Sequence, residues 1–312
     1  MRNKIRGWVL KTVKHSRLKT SPLVNPYVAI AATLPAIISI FLLAALPAIV
    51  NLAISFTDYH GVGQPFEFVG FENYISVFTI QNAAVTVWDS LKNTAVFSVC
   101  VVFIQQAISL GMALIVNRKF KGRSFFRALF FMPTILGVSV VGFTWQLVFD
   151  PISGPVATLL SKMGVSSALL GENGLSMALV IVVAIWSNFG YAMVVYIAGL
   201  QNISDDVREA ADLDGVNAWQ MFRYITLPLL RGTLTINFWI SISGTLAMFD
   251  IIYVLTDGTA GTTTFALYIF KMATNSSSNQ GQAAALYIYF SIFVTAIMLA
   301  FNFLFRRKEA DN

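Results

Sequence analysis

An all-α, polytopic membrane protein is the fold class this sequence predicts, and three observations carry it. The 312-residue chain is 56% hydrophobic and only 12% charged, with a mean hydropathy of +0.70, well beyond what a soluble domain of this size retains. Apolar runs recur six times, each with roughly the twenty residues needed to cross ~30 Å of hydrocarbon. The basic residues gather in alternate connections between those runs.

Residues 1–26 carry Arg2, Lys4, Arg6, Lys11, Lys14, Arg17 and Lys19 with Ile5, Trp8, Val9 and Val13 at helical spacing between them. That pattern suits a basic amphipathic helix lying on an anionic bilayer surface. A signal peptide fits less well, because the apolar run that follows, 28–56, is too long for its hydrophobic region and reads as a true span. Pro35 and Pro47 should kink it. An aromatic loop, GVGQPFEFVGFENYISVF, leads to five further spans at 94–116, 128–149, 175–200, 232–255 and 282–305. The connection 150–174 is a loop with a short helix near 156–163, and 256–281 is soft and rich in Thr, Ser, Asn and Gly.

Six spans place both termini on one side. All but Lys92, Lys162 and Lys271 of the 21 basic residues fall in the termini and even-numbered connections, so that side is the cytoplasm. The expected organisation is a cytoplasmic segment 1–26, a membrane domain 27–305 and a cytoplasmic tail 306–312.

The polar segment 202–231, NISDDVREAADLDGVNAWQMFRYITLPLLR, interrupts the apolar pattern. Ser204, Asp205 and Asp206 offer capping oxygens for a helix over 205–214, and Gly215 supplies its stop. With Asp206 as the cap, Glu209 would complete a capping box. A second helix restarts at Asn217 and carries Trp219, Phe222 and Ile225 at three-residue spacing until Pro228 forces a break. Two short helices with an acidic tip and an apolar underside make a docking knob. Trp219, Phe222 and Ile225 are expected to pack beneath the bundle, making the first helix a rigid lever.

Catalytic chemistry is not in view. There is no G-x-x-x-x-G-K-[ST] phosphate cradle, so any ATP falls to a partner. His15 and His60 lack companions, and the single Cys100 excludes a cysteine metal cluster or internal disulfide. No catalytic or metal-ligating residue is expected, nor does the loop-borne charge point to nucleic acid.

The spans do hold uncharged polar residues: Gln105, Gln106, Thr134, Ser139, Gln146, Ser187, Asn188, Ser241, Ser243 and Thr245. Such groups face a bundle interior, where they either join helices or line a pathway. Asn188 and Tyr191 share a face of the fourth span, as do Ser241 and Thr245 of the fifth. Beside Phe249 and Tyr253 they suit a hydroxyl-rich, uncharged ligand better than an ion. Asp250, the one ionisable residue inside a span, lies toward its outer end as a helix-end or loop-pinning carboxylate.

Glu209, Ala210 and Ala211, then three residues, Gly215, nine residues, Ile225, Leu227 and Pro228 match the EAA loop of bacterial ABC importer permeases at every defining position. Small alanines and a glycine let a helix press into a groove on another protein. Likeness extends over about 27–305: GFENYISVF, FRALFFMPTILGVSVVGFTW and FDIIYVLT resemble the carbohydrate branch of that family. The resemblance implies the type I importer permease fold with a cytoplasmic coupling helix, to which Glu209, Ala210, Ala211, Asp212, Gly215, Trp219 and Pro228 would belong. It further implies a bacterial plasma-membrane location, a pore completed by a second homologous permease in a heterodimer, two ATPase subunits holding ATP and Mg, and an extracytoplasmic substrate-binding protein. The substrate pathway of such permeases corresponds here to Thr134, Val138, Ser187, Asn188, Tyr191, Ser241, Thr245 and Met248. One departure is the fifth-span exit, where L-T-x-G-G-P of the family is replaced by Leu255-Thr256-Asp257-Gly258-Thr259-Ala260. The expected activity is sugar import. Glycerol phosphate is the alternative cargo, disfavoured by the lack of intramembrane cations; a secondary carrier or a membrane enzyme would need no ATPase.

Overall fold

A computed structural model describes residues 26–78, 86–275 and 279–306, and the chain divides after Ala53 into two compact units. The expected amphipathic segment before residue 26 and the tail beyond 306 lie outside the described residues.

In the first unit, α1 (Pro26–Ile40) continues through a π turn, Phe41–Ala45, into α2 (Leu46–Ile54). The π turn falls immediately before Pro47, whose ring would strike the carbonyl four residues back in an α-helix. Leu46 donates instead to the Phe41 carbonyl, and the wider turn makes room. The proline therefore produces a bulge in a continuous helix.

The second unit begins with the aromatic loop, which its own polar groups fold. Asn73 of α3 (Glu72–Ser76) is buried and donates to the carbonyls of Ser55 and Thr57 at 2.9 and 2.7 Å. A 2.6 Å hydrogen bond joins the Ser55 and Tyr74 hydroxyls. The bundle then follows as α4 (Val87–Val116), α5 (Arg123–Ile135), α6 (Val138–Val148), α7 (Pro155–Lys162) and α8 (Leu175–Gln201). After it come α9 (Asp205–Leu213), α10 (Ala218–Leu229), α11 (Arg231–Ala247), α12 (Asp250–Thr256), α13 (Phe265–Thr274) and α14 (Gln280–Arg306).

Among the described residues four helices are long and apolar enough to cross a membrane by themselves, and the bent pairs α5–α6 and α10–α11 raise the number to six if each pair counts as one span. The third predicted span is thus not straight: α5 and α6 meet at 97°, because Leu136 and Gly137 are both extended, at ψ 138° and 143°. The fifth also differs, breaking at Met248 and Phe249 into α11 and α12. The segment 256–281, expected to be soft, contains α13, whose Phe265, Leu267, Tyr268, Ile269 and Met272 are buried.

Two features hold the centre. Gly190 of α8 lies against the Phe130 backbone of α5, and a Cβ there would overlap the Phe130 carbonyl; small residues permit this approach in membrane bundles. A buried polar network links α4, α8 and α11: Tyr196 donates to Gln106 Oε1, and Gln106 Nε2 donates to Ser241 Oγ at 2.6 Å. Asn237 Nδ2 adds a bond to the Ala192 carbonyl at 3.1 Å. Away from water, each of these groups left alone would cost free energy.

Candidate functional site

Two places stand apart from the packed bundle. The first is a cleft of about 130 Å³ lined by Pro133, Thr134, Leu136, Val138, Val141, Ser187, Asn188, Met248, Asp250 and Ile251. It exists because three segments leave helical geometry or approach closely there: the extended Leu136–Gly137 corner, the Met248–Phe249 break and the middle of α8. Thr134 Oγ1 donates to the Ser187 carbonyl at 3.0 Å, and Asn188 Nδ2 donates to Ser187 Oγ and the Ala184 carbonyl, each at 3.0 Å. The amide and hydroxyl oxygens left over are acceptors, and the remaining walls are apolar. Asp250 contributes the cleft's one carboxylate, its Oδ1 held by the Ile251 N–H at 2.8 Å.

Five of the eight expected pathway residues, Thr134, Val138, Ser187, Asn188 and Met248, meet in this cleft. Ser241 and Thr245 do not. Both are buried: Ser241 accepts from Gln106 and so joins α11 to α4, while Thr245 donates back to the Ser241 carbonyl of its own helix at 2.8 Å. Tyr191, three residues beyond Asn188, is 44% exposed and lies outside the cleft lining. Asp250, Pro133 and Leu136 were missed as cleft residues; the Leu136–Gly137 pair beside Pro133 was the available signal.

The second place is the knob formed by α9 and α10. Its first helix starts at Asp205, so the cap position falls on Ser204, two residues before Asp206, and Ser204 makes no side-chain cap bond. The Asp206–Glu209 box is therefore absent, because Asp206 already lies inside the helix. A box does form at the restart, where Asn217 Oδ1 accepts from the Gln220 N–H and Gln220 Oε1 from the Asn217 N–H, both at 2.9 Å. Between the helices Gly215 adopts φ +73°. Its N–H reaches the Asp212 carbonyl and that of Val216 the Ala211 carbonyl, both at 3.1 Å. This paired closure needs a left-handed residue, which glycine takes without strain.

Pro228 does not end α10. A π turn over Met221–Thr226 precedes it, as one precedes Pro47, and the chain turns only at Leu230, bending 70° into α11. Phe222, half-buried, joins Leu114, Arg118 and Leu200 around a groove at the ends of α4 and α8. Trp219 departs from expectation: it is 68% exposed, its ring tilted by 39° against that of Phe222 at 5.8 Å between centroids. Phe222 and Ile225 are half-buried while Trp219 is turned outward. Leu213 is 90% exposed, Glu209, Ala210 and Asp212 are exposed, and Ala211 is buried.

A family model described as "Binding-protein-dependent transport system inner membrane component" matches residues 105–309. A probable starch degradation products transport system permease protein of Thermoanaerobacterium thermosulfurigenes is 31% identical over 284 residues, covering 89% of this chain and 93% of that one. The lactose transport system permease protein of Rhizobium radiobacter is 29% identical over 308 residues, covering 96% of this chain and 100% of its own. A crystal structure of a bacterial ABC transporter that imports alginate shares the fold at a TM-score of 0.78 and 24% identity, covering 90% of this chain and 96% of that one.

Proposed function

The chain belongs to the family of binding-protein-dependent transport system inner membrane components, and from that premise we propose that it is one permease of an ATP-driven sugar importer, lending half of the pore. Its relatives are named as permeases of starch-product and lactose transport systems, which supports carbohydrate as cargo. The carrying observation is the pairing of an exposed, doubly capped knob with a cleft built at helix breaks. In this reading the knob faces the cytoplasm, as the basic residues favour, and docks on an ATPase subunit holding ATP and Mg. A second permease completes the pore, and a substrate-binding protein delivers the sugar from outside.

Work passes through stiff parts. The Gly215 closure and the Asn217 box fix α9 against α10. Phe222 seats α10 at the ends of α4 and α8. The 70° turn at Leu230 leads directly into α11, whose far end forms the cleft at Met248. A push on α9 therefore reaches the cleft wall through one continuous chain of helices. The cleft, with hydroxyls, an amide, one carboxylate and no cation, suits a neutral polyhydroxylated ligand; a phosphate would meet Asp250 unopposed.

Replacing Glu209 by Lys, or Gly215 by Val, and purifying the assembled complex tests the coupling role. Loss of the ATPase subunit or of substrate-stimulated hydrolysis is expected. Retention of both, together with unchanged uptake, would refute it.

A further inference from the structure

A second cleft, about 750 Å³, opens at the end of the bundle remote from the knob, and the function proposed above makes no use of it. Four elements supply its walls. Asp89 and Lys92 stand on the first turns of α4, Asn173 precedes α8, Asp257 ends α12, and Tyr268 and Lys271 lie one turn apart on α13. Its volume falls within the range of roughly 300–1,000 Å³ usual for small-molecule sites.

The two acids and two bases balance, and one of each is already paired, Lys271 Nζ standing 2.8 Å from Asp257 Oδ1. The rim is also preset. Thr256 and Thr262 hydroxyls share a 2.6 Å bond, and Thr263 Oγ1 donates to the Gly258 carbonyl at 2.6 Å. Tyr268 is the observation that points to a ligand. It is only 4% exposed, and its hydroxyl is buried without a hydrogen-bond partner among the described residues. Buried phenol groups ordinarily find one.

We propose that this cleft is a second carbohydrate subsite, a vestibule that holds sugar units of the cargo before they reach the cleft at Thr134 and Asn188. The proposal rests on the sugar-importer reading. Carboxylates accept, lysine and amide nitrogens donate, and a phenol does both, which is the mixture that vicinal sugar hydroxyls require. A ligand hydroxyl beside Tyr268 supplies its missing partner. Charge balance favours a neutral glycan over an acidic one.

The test uses the complete transporter with its binding protein in proteoliposomes and a maltotriose derivative carrying a diazirine as photoprobe. Labelled peptides from 257–272 are expected, competed by unlabelled maltotriose. Tyr268→Phe, which removes one oxygen, and Lys271→Gln, at a partly exposed position, should each lower that labelling about three-fold or more, the effect of one lost hydrogen bond. Label confined to 133–141, 187–191 and 248–251, or label at 257–272 that ignores both variants, would overturn the vestibule and leave the importer intact. A wild-type complex that takes up no sugar and carries no label would overturn the importer reading and the vestibule with it.

Discussion

The knob and the cleft at Thr134 are built by opposite means. Every bond that shapes the knob spans five residues or fewer: Gly215 to Asp212, Val216 to Ala211, Asn217 to Gln220. The cleft depends on α5, α6, α8 and α12 meeting across more than a hundred positions of sequence, through contacts such as that of Gln146 Nε2 on α6 with the Val254 carbonyl on α12 at 2.6 Å. A locally coded part keeps its shape while its surroundings move, as a lever must. A part assembled from distant helices changes when those helices shift, as a gated site must.

Substitutions sharpen the contrast, and the largest effect should come from the assembled region. Gly190→Val places a side chain on the Phe130 backbone, and because backbone cannot rotate away, the cost should exceed the ~1–3 kcal/mol of ordinary overpacking. Little folded chain should survive detergent extraction, measured by size-exclusion recovery. Normal recovery would show that α5 and α8 separate easily.

Next comes Trp219→Ala. Because Trp219 is turned outward, its loss should leave the chain's thermal midpoint in place while weakening association with the ATPase subunit by about 2 kcal/mol or more, the scale of an aromatic anchor. Titration of the purified partners measures this. A fallen midpoint with unaltered association would return Trp219 to the bundle interior. Gly215→Ala should cost less, about 1–2 kcal/mol for a left-handed alanine, seen as faster hydrogen exchange confined to 205–220.

The smallest effect is one of pH. Hydrogen bonds from the backbone and side chain of Ser153, and then from the Ile152 N–H, hold Asp150 below the usual carboxylate range. A depressed folded pKa means that the turn gains stability above the unfolded value near 3.9 and loses it as pH falls through the lower folded value. Ser153→Ala should move the onset of that loss to higher pH, followed by exchange of the 152–154 amides. An unmoved onset would remove Ser153 from the account.

The same distinction governs how much was legible in the sequence. Gly215 as a stop and Asn217 as a restart follow from rules that act over a few residues, and both appear. Which of Ser204, Asp205 and Asp206 stands at the cap was open, because all three offer the same oxygens; the position falls on Ser204. The breaks at Leu136–Gly137 and Met248–Phe249 lie in unbroken apolar runs, so hydropathy reads straight spans through them. Ser241 looks like Thr134 and Ser187 in composition; only the position of Gln106, far away in sequence, makes it helix glue. Helix α13 was hidden because its flanking threonines and asparagines read as loop while its own burial depends on α14.

Cross-linking at the knob tests the central claim most directly. Cys100 is the chain's only cysteine, so Cys100→Ser with Glu209→Cys leaves one thiol in this chain, at an exposed position midway along α9. In the assembled transporter a short bifunctional reagent should join that thiol to the ATPase subunit, and a membrane-impermeant maleimide added outside intact cells should fail to reach it. Labelling from outside, or a thiol that joins no ATPase subunit although the complex still transports, would contradict the account.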